Sequence, residues 1–148
     1  MRGNLTDASV LLTNELAIVG KSSGDEHPDL IPALRHLAWV LAKQGDSSAA
    51  ESLHAKATSL SHKGGSYSIR AFTISNYDLA DLLQAQTRFA EAEPLLLENA
   101  TYLKGESQST QIFEPWLFGR LAAFYEAWDR AEPGTGKTEQ AAAWRKNL

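Results

Sequence analysis

One segment near the end of the sequence has the residue types of a phosphate-binding loop. Residues 131–138, AEPGTGKT, fit the P-loop pattern, in which backbone amides and a lysine hold phosphates and a threonine hydroxyl holds magnesium. Such a loop works after a buried strand, whereas residues 121–128 have a helical pattern, and only ten residues follow Thr138. We therefore interpret residues 131–138 as a loop between helices, with ATP binding through this loop as the alternative.

The other residues that could bind metals or catalyse reactions lack the necessary spacing. The sequence contains four histidines: His27, His36, His54 and His62. No two of them lie four residues apart on one helix face, so no zinc site is predicted, and His54 is expected to be a partly buried packing residue with a hydrogen bond. There is no cysteine and no G-x-S-x-G elbow. Glu91 and Glu93 are expected to be solvated. We predict no catalytic residue, no metal and no cofactor, and therefore no enzyme.

Charge and composition exclude further classes of protein. With 14 Lys+Arg against 18 Asp+Glu the net charge is −4, which argues against a broad nucleic-acid-binding surface because such surfaces need clustered cations. No apolar run approaches the roughly 20 residues that cross a bilayer, and the first residues lack the apolar core of a signal peptide. We expect a cytoplasmic protein that binds neither nucleic acid nor membrane. The 22 Ala and 20 Leu indicate an all-α fold.

The sequence contains an internal repeat with a period of 42 residues, and the helices of this repeat must position the residues discussed above. The positions that recur at this spacing are Gly3/Gly45/Thr87, Ala8/Ala50/Ala92, Leu11/Leu53/Leu95, Leu37/Leu79/Leu121 and Ala38/Ala80/Ala122. A small alanine lets a neighbouring helix approach closely while a leucine three residues away fills the flank of the same face. The repeat therefore predicts stacked hairpins, each with an A helix, a short turn and a B helix.

Periodicity and turn residues predict about seven helices in one domain, residues 1–148. We expect a B helix over 4–20, an A helix ending near Gln44, and further helices over 46–61, 69–85, 89–103, 113–129 and 137–147, with Pro94 bending the fifth. The expected units are 3–28 (partial), 29–66, 67–110 and 111–148. Because the first B helix has no A partner, we expect the chain to be the final portion of a longer array, with an exposed N-terminal repeat end that could favour self-association.

Three segments carry a resemblance to a known family. GDEHPDL (24–30), LAWVLAKQGD (37–46) and RFAEAEPLLLENA (88–100) resemble tetratricopeptide repeats of the roughly 42-residue kinesin light chain type. Residues 121–148 are similar to the closing segment of such arrays in bacterial serine/threonine protein kinases. The resemblance implies a right-handed α-α superhelix that binds a protein or peptide in a concave groove. HEAT or armadillo repeats are the alternative fold.

In such a superhelix the A helices line the groove. Because Leu37, Ala38 and Leu41 are expected to face the core, the groove side of the first A helix should carry Arg35, Trp39 and Lys43. Adding 42 gives Tyr77, Asp81 and Ala85, then Gly119, Ala123 and Ala127, with Gln84 and Glu126 at the rim. Arg, Trp and Tyr are typical of binding hot spots. The alternative is that Trp39 and Tyr77 pack between hairpins, as core or capping roles are expected for Trp116, Trp128 and Trp144.

The sequence thus predicts a non-catalytic interaction module, favoured as the C-terminal part of a larger bacterial signalling protein such as a serine/threonine kinase. A small ATP-binding protein and a structural spacer remain the alternatives.

Overall fold

The computed structural model describes residues 2–63, 69–105 and 114–146. Within these ranges the chain forms seven α-helices and no strand. They are α1 (Arg2–Ser23), α2 (Leu30–Gln44), α3 (Ser47–Lys63), α4 (Ile69–Ala85), α5 (Phe89–Gly105), α6 (Glu114–Ala131) and α7 (Lys137–Arg145). The all-α fold predicted from the composition and the repeat is confirmed.

The predicted helix boundaries agree closely with the structure. Helix α4 begins and ends at the predicted residues, and α2 ends at Gln44 as Gly45 indicated. Helix α1 is longer at both ends than the predicted 4–20, and α5 contains Pro94. The sequence also predicts a break at 64–66 and a loop over 105–110; Gly105 instead ends α5, and the rest of both segments, with the predicted helical residues 113 and 147, lies outside the described residues.

The contacts group the chain into two compact units, Met1–Leu82 and Leu83–Leu148. In the first unit α1 packs on α2, and α2 packs on α3. The centre of this packing consists of Leu30, Ile31 and Leu34 from α2 with Ala57 and Leu60 from α3, and Leu16, Val19 and Leu53 pack around it. Aliphatic side chains from three helices therefore exclude water from one interior, and their burial stabilises the unit.

The turn between α2 and α3 is built by two residues. Gly45 has φ 92° and its N–H bonds to the Ala42 carbonyl, while the N–H of Asp46 bonds to the Leu41 carbonyl. This left-handed position costs glycine no steric strain and satisfies carbonyls left over at the helix end. The carboxylate of Asp46 then accepts the Ala49 N–H at 3.1 Å and caps α3. A two-residue turn reverses the chain and allows the hairpin to close.

The alanine columns of the repeat lie where two helices approach closely. Ala50 and Ala92 are 0% exposed, and Ala38, Ala80 and Ala122 are at most 2% exposed. Leu37, Leu79 and Leu121 are buried beside them. The column of His54 is also internal, since Leu96 is buried and Leu12 half-buried. Leu41 is half-buried, and Leu11 is exposed although Leu53 and Leu95 in its column are half-buried.

In the second unit α6 packs on both α5 and α7. An aromatic cluster joins α5 to α6: the Phe89 ring lies 5.8 Å from Phe124 and 5.7 Å from Trp128, between ring centroids. The turn before α5 uses Thr87 with φ 60°, in the repeat position that Gly45 occupies in the first hairpin. The Thr87 N–H bonds to Gln84 and the Arg88 N–H to Leu83, so the same turn forms without glycine.

No helix in the described part of the chain has the length and apolar character needed to cross a membrane.

Candidate interaction surface

The exposed side of α2 carries an aromatic side chain beside a cation. Trp39 is 56% exposed, although Ala38 next to it is fully buried. The Lys43 ammonium, one helical turn further on, lies 5.6 Å from the centroid of the Trp39 ring. An indole face and a cation thus lie together on the surface, an arrangement suited to holding an apolar or acidic group of a partner.

An ion pair connects this face of α2 to α4 within the first unit. The Arg35 guanidinium donates through Nε to Asp78 Oδ2 at 2.5 Å, and both side chains are half-buried. Residues three or four apart share a helix face, so Trp39 lies one turn after Arg35 on α2, and exposed Asp81 lies one turn after Asp78 on α4. Trp39, Lys43 and Asp81 together are called the α2–α4 surface below.

Beneath the α2–α4 surface lies a buried histidine. His54 of α3 is 4% exposed, so it is more deeply buried than the predicted partly buried packing residue, and its Nδ1 atom has no hydrogen-bond partner. Burial lowers the pKa of His54, with a smaller lowering from the Arg35 charge, while the charges of Asp78 and Asp81 oppose this change. The imidazole is therefore favoured in its neutral form, beside the Arg35–Asp78 pair.

The repeat columns behave differently along the predicted groove. Trp39, Asp81 and Ala123, which are spaced by 42 residues, are all exposed. Arg35 is half-buried and points to the neighbouring A helix, and Tyr77, in the same column, is only 4% exposed. The prediction that Tyr77 forms part of an exposed groove is therefore wrong, because this repeat position lies on the side of the helix that packs against other helices. Trp39 has the exposure that the groove interpretation requires.

The two predicted rim residues belong to the second unit. Gln84 is half-buried near the end of α4, and its carbonyl accepts the Thr87 N–H of the following turn. The Glu126 carboxylate forms an ion pair with the Arg145 guanidinium of α7. Glu126 thus pairs with the neighbouring helix of its own hairpin, and its predicted place at the groove rim stays a prediction.

The P-loop-like segment has a structural role in the second unit. Helix α6 leads into it, with Gly134 and Gly136 in the left-handed region at φ 82° and 76°. The Lys137 ammonium lies 3.5 Å from the centroid of the Trp128 ring and 3.6 Å from Glu93 Oε1, and its side chain is only 14% exposed. The preceding helix and the enclosed lysine match the predicted inter-helix loop and not the geometry of a phosphate-binding site.

The enclosure around Lys137 combines rings and a carboxylate from two helices. Tyr125 donates its hydroxyl proton to Glu93 Oε1 at 2.7 Å, and its ring centroid lies 5.6 Å from the lysine nitrogen. Burial first, and then this hydrogen bond, raise the pKa of Tyr125, so the phenol remains a donor. Trp128 donates from Nε1 to Glu132 at 3.0 Å. We call Glu93, Tyr125 and Trp128 the lysine cage; the prediction that Glu93 is simply solvated is wrong.

Sequence reasoning missed a second exposed tryptophan. Trp116 in α6 is 53% exposed, which contradicts a core role, and the Arg120 guanidinium lies 5.8 Å from its ring centroid. The spacing of four residues repeats the Trp39–Lys43 arrangement and was readable as a signal. Trp128 is buried as predicted, and Trp144 stacks on Phe118 with ring centroids 5.7 Å apart.

The described residues also bear on two other kinds of site, a metal centre and a cleft. The described residues contain no group of three or more His, Cys, Asp or Glu side chains placed to hold a metal ion. An open cleft of about 520 Å³ is lined by Ala55, Thr58, Ser59, His62 and Leu79. Its lining includes none of the predicted groove residues and only one titratable side chain, so the α2–α4 surface remains the candidate site.

A comparison with protein families finds a match for the first three helices. A tetratricopeptide repeat model matches residues 1–61. The match spans α1, α2 and most of α3, and therefore includes the A helix that carries Trp39 and Lys43. Tetratricopeptide repeats generally mediate protein–protein interaction and are generally non-catalytic. No match was found among curated proteins.

Proposed function

We propose that the protein is a non-catalytic interaction module that binds a protein or peptide partner on the α2–α4 surface of its first unit. The observation that carries this proposal is the exposure of Trp39, at 56%, next to a lysine and beside a fully buried alanine. An exposed indole offers a partner a large apolar face to bury, and tryptophan is enriched in binding hot spots.

The charges of this surface favour a partner segment of mixed character. Lys43 offers a cation at one side of the indole, and Asp81 offers a carboxylate on α4. Arg35 and Asp78 form an ion pair with each other between α2 and α4. A peptide with an apolar or aromatic side chain for Trp39, an acidic residue for Lys43 and a basic residue for Asp81 complements these groups.

A peptide library displayed on phage and selected against the whole chain tests the proposal. We expect selected peptides to place an acidic residue near an apolar anchor and to quench tryptophan fluorescence when they bind. Trp39→Ala should weaken binding about 30-fold, the effect of losing a hot spot of about 2 kcal/mol. Trp116→Ala is the matched control, since it removes an equally exposed indole from the second unit.

Two results would contradict the proposal. Selection that yields no specific peptide would favour the structural spacer, and equal losses in Trp39→Ala and Trp116→Ala would remove the α2–α4 surface from the binding site. Tyr77→Ala is unsuitable as a groove variant because the ring is buried. It should lower the free energy of unfolding by about 3–5 kcal/mol, as removal of a core aromatic ring does.

We propose further, from the similarity of residues 121–148 to the closing segment of kinase-associated arrays, that the module accompanies a serine/threonine kinase domain in the cytoplasm of a bacterium. The kinesin light chain type of repeat and the right-handed superhelix belong to the same proposal. Sequencing the reading frame that surrounds the chain tests it, and a frame without kinase motifs contradicts it.

A further inference from the structure

The outer face of α1 carries large aliphatic side chains that the first unit leaves in solvent. Val10, Leu11 and Ile18 are 54%, 68% and 67% exposed. The opposite face of the same helix is covered, since Leu16 and Val19 pack against the centre formed by α2 and α3. Helix α1 thus has apolar residues on both faces, and only the inner face has its cover within the described residues.

This outer face is close to symmetric about Asn14. Val10 and Ile18 lie four residues before and after it, and Leu11 and Ala17 lie three residues before and after it. Because each residue turns the helix by about 100°, these side chains point within about 60° of the direction of Asn14, viewed along the helix axis. Asp7 and Lys21, seven residues away on either side, fall on the same line. We call this set the outer stripe: Asp7, Val10, Leu11, Ala17, Ile18 and Lys21 around Asn14, all exposed.

We propose that the outer stripe binds the outer stripe of a second copy of the chain, with the two α1 helices antiparallel and a two-fold axis at Asn14. Each Val10 then lies opposite Ile18 of the second copy, and each Asp7 lies opposite Lys21 of the second copy. A parallel pairing would place Asp7 against Asp7 and Lys21 against Lys21. The charges therefore favour the antiparallel direction. The same surface of each copy forms the contact, so the assembly is a two-fold symmetric dimer and adds no third subunit.

Asn14 sets the register of this pairing. In the antiparallel arrangement the two Asn14 amides meet at the axis, where each has both a donor and an acceptor to offer. A polar residue in an otherwise apolar helix seam lowers stability but penalises shifted registers, which would place an amide against Val10 or Ile18. The stripe from Asp7 to Lys21 is about 21 Å long at 1.5 Å per residue, so the interface is small and the dimer dissociates on dilution.

A second copy fits this face better than an unrelated partner, because an unrelated partner does not require opposite charges at equal distances from a central asparagine. The inference is independent of the α2–α4 surface, whose residues lie on other helices. Peptide binding and dimerisation can therefore fail separately.

Sedimentation velocity of the whole chain, from low to high micromolar concentration, tests the proposal. The wild-type chain should pass from monomer to dimer and no further. Ile18→Glu should remain monomeric with an unchanged helical circular dichroism signal, because the replaced side chain is exposed. Lys56→Asp, an exposed site on α3, is the matched control and should dimerise normally.

Charge exchange tests the antiparallel direction. Asp7→Lys and Lys21→Asp should each weaken self-association at least tenfold, because each places like charges at both ends of the seam. The double variant, with both substitutions in one chain, should recover it, and the two single variants mixed together should form a heterodimer.

A chain that stays monomeric at every concentration would overturn the proposal and leave the stripe to another occupant, such as a further repeat. A dimer that Ile18→Glu leaves intact, oligomers larger than two, or a double variant that remains monomeric would overturn it as well.

Discussion

Replacing Lys137 by methionine measures what the lysine cage contributes to the second unit. Methionine keeps an unbranched side chain of similar length but removes the ammonium that lies 3.5 Å from the Trp128 ring centroid and 3.6 Å from Glu93 Oε1. A desolvated cation–π contact contributes about 2 kcal/mol. The lost ion pair adds to this, because the two side chains are only 14% and 24% exposed and Glu93 would keep its hydrogen bond from Tyr125 but lose the cation.

We therefore expect Lys137→Met to lower the free energy of unfolding by about 2–3 kcal/mol, and the midpoint of thermal unfolding by roughly 5–10 °C for a chain of this size. Urea unfolding followed by circular dichroism and tryptophan fluorescence measures the loss. Lys137→Arg should lose less than half as much, since guanidinium also stacks on indole. Lys56→Met, at an exposed site, should stay within about 0.5 kcal/mol of wild type.

The same variant separates the cage from the P-loop interpretation. Isothermal titration of the wild-type chain with magnesium ATP should give no binding heat, because the lysine is already held by Trp128 and Glu93. A Lys137→Met variant that unfolds like the wild type would contradict the contribution of the cage, and ATP binding by the wild type that Lys137→Met loses would contradict its structural role.

Two further predictions concern the turn and the buried histidine. Gly45→Thr should lower the free energy of unfolding by about 1 kcal/mol through backbone strain alone, because φ is 92° and an added Cβ meets no atom within 4 Å. Thr87→Gly should not destabilise its turn. Equal losses of the two variants in denaturant unfolding would contradict this. Because burial lowers the pKa of His54 below 6.5, the unfolded chain binds the proton more readily, so stability is complete above about pH 6.5 and falls as the pH decreases towards the folded pKa. His54→Leu should make the free energy of unfolding less dependent on pH between about pH 7 and 5. His36→Gln, at an exposed site, should retain the dependence. An unchanged pH profile of stability in His54→Leu would contradict its assignment to His54.

The repeat allowed much of the fold to be predicted, because helix ends depend on local chemistry. Gly45 ends α2 through its own backbone freedom, and the alanine columns mark buried helix faces at Ala38, Ala50, Ala80, Ala92 and Ala122. The period of 42 even predicts a turn at Thr87, where the structure retains the glycine-like conformation in a residue that resists it.

The site was less predictable, because periodicity tells which face of a helix a residue occupies but not what covers that face. Tyr77 and Trp39 were both assigned to the groove, yet one is buried and the other exposed. A large aromatic side chain such as Trp116 is typical of a core, but Trp116 lies near the start of α6 and is exposed. Glu93 and Lys137 are far apart in the sequence, and only the folded second unit shows that they meet.

The lysine cage also makes one amine a chemical reporter of helix docking. Helix α7 has nine residues, fewer than an isolated helix needs to persist in water, so it is helical only while it is packed on α6. Its first residue is the caged lysine, and an acylating reagent reaches that nitrogen only after the side chain leaves the indole. The rate of Lys137 labelling, compared with that of exposed Lys56, therefore gives the fraction of time that α7 spends undocked, without unfolding the rest of the chain.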